Sequence, residues 1–294
     1  MNKREFGRSG IKLSPVTFGS MRLAPERIEL EAAVDLITFL YESGVNTFHS
    51  SHEYATDPFF CEVMRQFRSR HPGAEVVHIA KIGVPHFDEA SFKGEKLVTL
   101  IEQRLKALDT EQIALVQWLV RHQPNDDLHR LPLLAESQSE LTETWSKLHQ
   151  EGKVGALASF PYSIPFAEAV LQLSLCQGLV TYLNLLELEM VPLLKEMVQQ
   201  GQGYVAIRPL GGGAITSAGE EPQQLKLLLK ALDMPLSELT KLAVQFPLLY
   251  PAVASVMVSV SSISHGAEII EAANVASDRQ KFQQILNLVN SSCG

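Results

Sequence analysis

Gly44-Val45-Asn46-Thr47-Phe48-His49-Ser50-Ser51-His52-Glu53-Tyr54-Ala55 is the stretch whose reading decides the fold. It follows a run in which Ala32, Ala33, Leu36, Ile37 and Leu40 recur at helical spacing, and that run stops at Gly44. The spacing predicts a helix from Ile28 to Ser43. Val45 to Phe48 then reads as a short strand leaving into a polar loop that carries histidines, a glutamate and a tyrosine. A buried strand that opens into ionisable side chains is how an α/β enzyme builds its site, because the strand holds the loop rigid.

Working outward, the same alternation recurs. Lys3 to Ser14 has extended residues around Arg8-Ser9-Gly10, a turn signal, and predicts a β-hairpin. Val16 to Phe18 reads as the first long strand. After the decisive stretch come a helix from Pro58 to Arg70, a strand from Val76 to Ala80 and a helix from Lys96 to Leu108. A strand from Ile113 to Val120 and a helix from Ser139 to Gln150 follow. Val154 to Ala158, Leu179 to Leu183, Tyr204 to Ile207 and Ser255 to Val258 read as later strands, each with an apolar-periodic helix after it. Parallel strands joined by crossover helices, repeated this often, predict a single (β/α)8 TIM barrel spanning 1–294. The hairpin would cap its N-terminal end, and Asp278 to Val289 would add a C-terminal extra helix. No Rossmann phosphate-loop spacing follows the first strand, which argues against an open dinucleotide sheet.

Composition narrows the function classes. The 294 residues carry a formal net charge of −8 with no Lys/Arg run, which argues against a nucleic-acid partner. Cys61, Cys176 and Cys293 are isolated, so neither a disulfide framework nor a cysteine-zinc site is indicated. Met1 to Arg8 is polar, and no apolar run is long enough to span a bilayer. The expectation is a cytoplasmic protein with no membrane partner.

Motifs along nearly the whole chain resemble the aldo-keto reductase superfamily. The decisive stretch resembles the family line G-I-N-F-F-D-T-A-x-x-Y-G. Arg8-Ser9-Gly10 sits in a match to the opening hairpin, and Gly19-Ser20-Met21-Arg22 matches G-T-M-R. Gly152-Lys153-Val154 matches G-K-I, and Pro209-Leu210-Gly211 matches P-L-x-x-G. Leu242 to Ser255 tracks L-A-L-R-W-V-L-S-H-P-G-V-S-S. The resemblance implies hydride transfer between a nicotinamide, NADP or NAD, and a carbonyl of a small-molecule substrate.

It also implies site residues. Tyr54 falls on the proton-donating tyrosine and Lys81 on the lysine that assists it. A tyrosine has an ordinary pKa of about 10 and needs a nearby cation to act near neutral pH. His49 stands where the family has an aspartate, and an imidazole brings no negative charge to a lysine. The family's histidine falls on Leu119 if the strand is read forward from Thr110, or on His122 if it is read back from H-Q-P-N-D.

For the cofactor, the resemblance points to Gly19, Ser20 and Met21, to Arg208, Pro209, Leu210 and Gly211, and to Ser259, Ser261 and Ser262. Arg208 replaces a serine, and its guanidinium suits a pyrophosphate. The serines near a helix start suit phosphate or simple capping. The family's amide-gripping S-N is matched by Phe160-Pro161, and its sixth-strand glutamine by Val180 or Thr181. No Lys or Arg lies from Ser259 to Asp278 for the extra phosphate of NADP. A degenerate site therefore leaves three readings open: an NAD(P)H-dependent reductase, a silent relative that binds a small molecule or a protein partner, and a metal-dependent enzyme. His49, His52, Glu53, His86 and His122 share one barrel face but match no metal motif, and no metal site is expected.

Overall fold

The computed structural model describes residues 1–123, 126–213, 215, 235–274, 282–284 and 287. Strands β1 (Arg4–Glu5) and β2 (Lys12–Leu13) pair antiparallel, with Arg4 opposite Leu13. Their turn uses Gly10 at φ 76°, and the Ile11 amide donates to Ser9 Oγ at 3.1 Å. Eight parallel strands then close a barrel: β3 (Val16–Gly19), β4 (Thr47–Ser51), β5 (Val77–Gly83), β6 (Ile113–Leu119), β7 (Val154–Ser159), β8 (Cys176–Tyr182), β9 (Gly203–Ile207) and β10 (Val253–Val258). The last strand pairs back onto the first, Val256 opposite Val16. The barrel, the hairpin and the crossover helices are those expected.

Side chains alternate across each strand. Ile79, Leu115, Ala156, Ala158, Val180 and Val205 fill the interior, while Ala80, Val116, Trp118, Leu157 and Leu179 pack outward under the helices. The inner cluster includes Phe6 and Leu13, both buried, so the hairpin seals that end of the barrel. The chain makes room for Phe6 with glycines. A Cβ at Gly203 would lie 2.6 Å from Phe6 Cδ2, and one at Gly178 2.7 Å from its Cζ. Burying such a ring contributes roughly 2–3 kcal/mol.

Element ends differ from expectation where polar residues are buried. β4 runs to Ser51 rather than stopping at Phe48, because His49, Ser50 and Ser51 all have buried partners. His49 bonds Gln117 at 2.8 Å, Ser50 Oγ accepts from Arg104 at 2.7 Å, and Ser51 Oγ donates to the Lys81 carbonyl at 3.2 Å. β5 likewise runs through Lys81 to Gly83. The fourth barrel helix begins at Asp127, well before Ser139. Pro132 inside it reads as a breaker, and the buried Arg130 is no apolar signal. Of the expected terminal helix most lies outside the described residues; 282–284 are helical, and Phe282 is buried against Phe246 at 6.1 Å between ring centroids. No described helix is long and apolar enough to cross a membrane.

Candidate active site

The strands open at their C-terminal ends into a cavity of about 570 Å³. On one wall stand His49, Lys81 and Gln117, inner-face residues of β4, β5 and β6, with Tyr54 from the loop after β4. Gln117 Nε2 donates to the Val180 carbonyl at 2.8 Å, so its Oε1 turns to His49 and accepts from Nε2 at 2.8 Å. Burial lowers the His49 pKa to about 4; the Gln117 bond works against this, and the Lys81 and Arg104 charges add to it. His49 is therefore a neutral donor, and its ring centroid lies 6.1 Å from that of Tyr54.

Lys81 Nζ sits 4.4 Å from the Tyr54 ring centroid and 3.1 Å from Glu53 Oε2. The same carboxylate oxygen pairs with Arg121, whose other guanidinium nitrogen donates to Tyr162 Oη at 2.6 Å. Burial opposes ionisation of Glu53, but Lys81 and Arg121 outweigh it and hold the carboxyl below its usual range. Burial lowers the Lys81 pKa, Glu53 pulls it back up, and Arg121 lowers it further. Burial and then the Glu53 charge push the Tyr54 phenol up.

The opposite wall is built differently. Phe160 lines it, stacked edge-on against Tyr162 and Tyr182 at 4.2 and 5.1 Å. Arg208 has a left-handed backbone, φ 56°, fixed by Asn184 Nδ2 donating to its carbonyl at 2.9 Å. Its guanidinium lies 4.9 Å from the Tyr182 ring centroid and over Gly212, where a Cβ would meet Nη2 at 2.8 Å. Arg22 donates to the Gly212 carbonyl at 2.9 Å, and Ser259 Oγ to the Gly19 carbonyl at 2.7 Å.

A barrel, a hairpin seal and a tyrosine–lysine pair at the mouth fit many residues of one pattern, and the model of the aldo/keto reductase family matches residues 15–290. The chain belongs to that family. It is 25% identical over 316 residues to L-galactose dehydrogenase of Arabidopsis thaliana, covering 98% of this chain and 93% of that protein. Among solved structures it is similar to the holo form of aldo-keto reductase AKR11C1 from Bacillus halodurans, with TM-score 0.79 and 20% identity over 98% of this chain and 96% of the other. An aldo/keto reductase from Klebsiella pneumoniae in complex with NADP and acetate gives TM-score 0.72 at 16% identity, over 98% and 96%. At those identities the structures speak for the fold.

Within this aldo-keto reductase, the cavity gathers His49, Tyr54, Lys81, Gly19, Met21, Arg208, Pro209, Leu210 and Ser259 of the expected residues. Ser20, Gly211, Ser261 and Ser262 are not part of its lining. Ser20 is buried, and Ser262 accepts from the His265 amide at 3.3 Å, a capping bond. Leu119, not His122, lines the cavity; His122 stacks on His129 at 4.9 Å, with Nδ1 2.9 Å from Asp126. His49, His52, Glu53, His86 and His122 do not converge; among the described residues His122, Asp126 and His129 do, their ligand atoms within 4.8 Å of one another. Gln117, Arg121, Tyr162 and Tyr182 were not singled out from sequence. Period-two alternation back from Leu119 would have found Gln117. Arg121, beyond the strand end, gave no such signal.

Proposed function

We propose that the chain is an NAD(P)H-dependent reductase of a small carbonyl compound, with Tyr54 as proton donor and Lys81 as its partner. The observation that carries this reading is Lys81 Nζ at 4.4 Å from the Tyr54 ring on the wall of the cavity at the strands' C-terminal ends. The residues present fit a dinucleotide at its phosphate end: Arg208 and Arg22 bring guanidinium donors to the cavity, and Gly212, lacking a Cβ, leaves room for the Arg208 guanidinium to lie over it. The nicotinamide, when bound, supplies a hydride. Everything else falls to the chain. Tyr54 Oη gives its proton to the carbonyl oxygen, and the Lys81 ammonium beside the ring favours the phenolate left behind. Neutral His49, held by Gln117, keeps the inner wall polar without adding charge. Burial and Glu53 push the phenol up, so it holds its proton across the neutral range, and donation depends on the cation beside the phenolate it becomes.

The test is consumption of NADPH and NADH at 340 nm with a panel of aldehydes, ketones and, since one relative is named for L-galactose, sugars and sugar lactones. Turnover with a carbonyl that disappears in Tyr54→Phe supports the reading; turnover unchanged by that substitution sinks it. A second reading, a silent relative that binds a small molecule or a protein partner, is favoured by Phe160 in the cavity wall where an amide-gripping serine was expected. Fluorescence titration with each nucleotide separates the two, since absence of binding to both removes the reductase reading. A cytoplasmic setting is part of the same proposal and is checked by cell fractionation.

A further inference from the structure

Among the described residues the carboxylate paired with Lys81 is Glu53, from the loop after β4. His49, the inner-face neighbour, is neutral and spends Nε2 on Gln117. We propose that Glu53 is the positioning residue that keeps Lys81 charged and beside Tyr54, with Arg121 as its anchor and Gly83 as the space it occupies; this rests on the reading of Tyr54 as proton donor.

The arrangement is fixed from several directions. The Glu53 amide bonds Ser51 Oγ at 3.2 Å and the Tyr54 amide bonds the Ser51 carbonyl at 3.0 Å, so carboxylate and phenol ride on one turn anchored to β4. Glu53 Oε2 serves both Lys81 and Arg121, while Oε1 is buried with no hydrogen-bond partner. Arg121 is held in turn by its amide on the Pro85 carbonyl at 2.9 Å and by Tyr162 at 2.6 Å. Its guanidinium lies 5.4 Å from the Phe87 ring. The clearance comes from Gly83, at the end of β5: a Cβ there would meet Glu53 Oε1 at 2.8 Å and Arg121 Cγ at 2.9 Å. Two cations share one anion, which keeps that anion ionised despite burial. Without it, the Arg121 charge acts on Lys81 unopposed by Glu53, with Tyr54, Tyr162 and the neutral His49 nearby, and Lys81 sheds its proton more readily. The missing family aspartate is thereby answered by a carboxylate from a different place in the chain.

The test reads Lys81 directly and does not need turnover. Lysines are reductively methylated with ¹³C-formaldehyde, the Lys81 signal is assigned by its loss in Lys81→Arg, and its titration is followed by NMR. Glu53→Gln, close to isosteric, should lower the Lys81 pKa by about one unit or more, a tenfold change in its proton equilibrium. Arg121→Met should move it the opposite way, because Glu53 then has Lys81 alone. Gly83→Ala should repeat the Glu53→Gln shift in smaller measure by displacing the carboxylate, and it decides the matter if Glu53→Gln does not fold. In turnover, Glu53→Gln should lower kcat with little change in KM and move the alkaline limb of the pH profile down, with Glu53→Asp restoring part of the rate. An unmoved Lys81 titration in Glu53→Gln and Gly83→Ala overturns the proposal whatever the turnover. A moved titration together with full activity in Tyr54→Phe overturns instead the proton-donor reading.

Discussion

The two walls of the cavity depart in different ways from the residues that the resemblance led us to expect. On the β4–β6 wall, His49 replaced an expected aspartate, and a glutamate four residues on carries negative charge to Lys81 from another direction. On the β7–β10 wall, Phe160-Pro161 stands where a serine and asparagine were expected, and Phe160, Tyr162 and Tyr182 make the lining there aromatic. A charge acts through space, so its source can move by several ångströms and still set a neighbour's protonation. A hydrogen bond needs its donor at one distance and angle, so its source cannot move in the same way.

The largest expected effect falls on the first wall. Tyr54→Phe removes the transferable proton and should lower kcat by about 100-fold or more at unchanged thermal midpoint, the usual range for losing a general acid; steady-state kinetics check it. Next comes acid. Burial holds His49 near 4 and His78 near 3, against 6.5 in the unfolded chain. Between pH 6.5 and about 4 the unfolded state binds protons that the folded state refuses, so stability is intact above that window and falls as pH falls through it. The loss for His49 alone is on the order of 3 kcal/mol, and the fall in urea titrations across that range should become shallower in His49→Gln, with the His78 share remaining.

His49→Asp probes whether the relocated charge can be put back. A carboxylate there meets Gln117 Oε1, whose amide is tied to Val180. It should destabilise by roughly 2 kcal/mol, the cost of a buried polar group facing a like acceptor, and gain no rate while Glu53 remains. A rate gain would mean that the two walls do not differ as described. The smallest effect belongs to the second wall: Phe160→Ser restores one hydroxyl and should tighten NADPH or NADH binding by about fivefold, the worth of one net hydrogen bond of about 1 kcal/mol. Fluorescence titration reads it through Trp118, on the neighbouring β6.

Much of this molecule was legible before its structure. The strand–helix alternation and the Ser9-Gly10 turn placed the barrel and its hairpin, because apolar period and turn chemistry are local signals. Tyr54 and Lys81 were reached through motif order. Strand ends were misread where His49, Ser50 and Ser51 are buried, because a polar residue satisfied by a distant partner looks like loop in one dimension. Glu53 was seen only as one of several loop ionisables. Its partners, Lys81 and Arg121, lie on two other strand ends, and neither periodicity nor a motif states that pairing.

Phe6 seated over Gly178 and Gly203 has a consequence for motion. The ring lies against both β8 and β9 at their feet, so parting them there also exposes Phe6, and the N-terminal segment adds to the cost of that opening. Amide hydrogen exchange at Val180 and Val205 should accordingly be among the slowest in the chain, and Phe6→Ala should quicken it there before it disturbs the mouth.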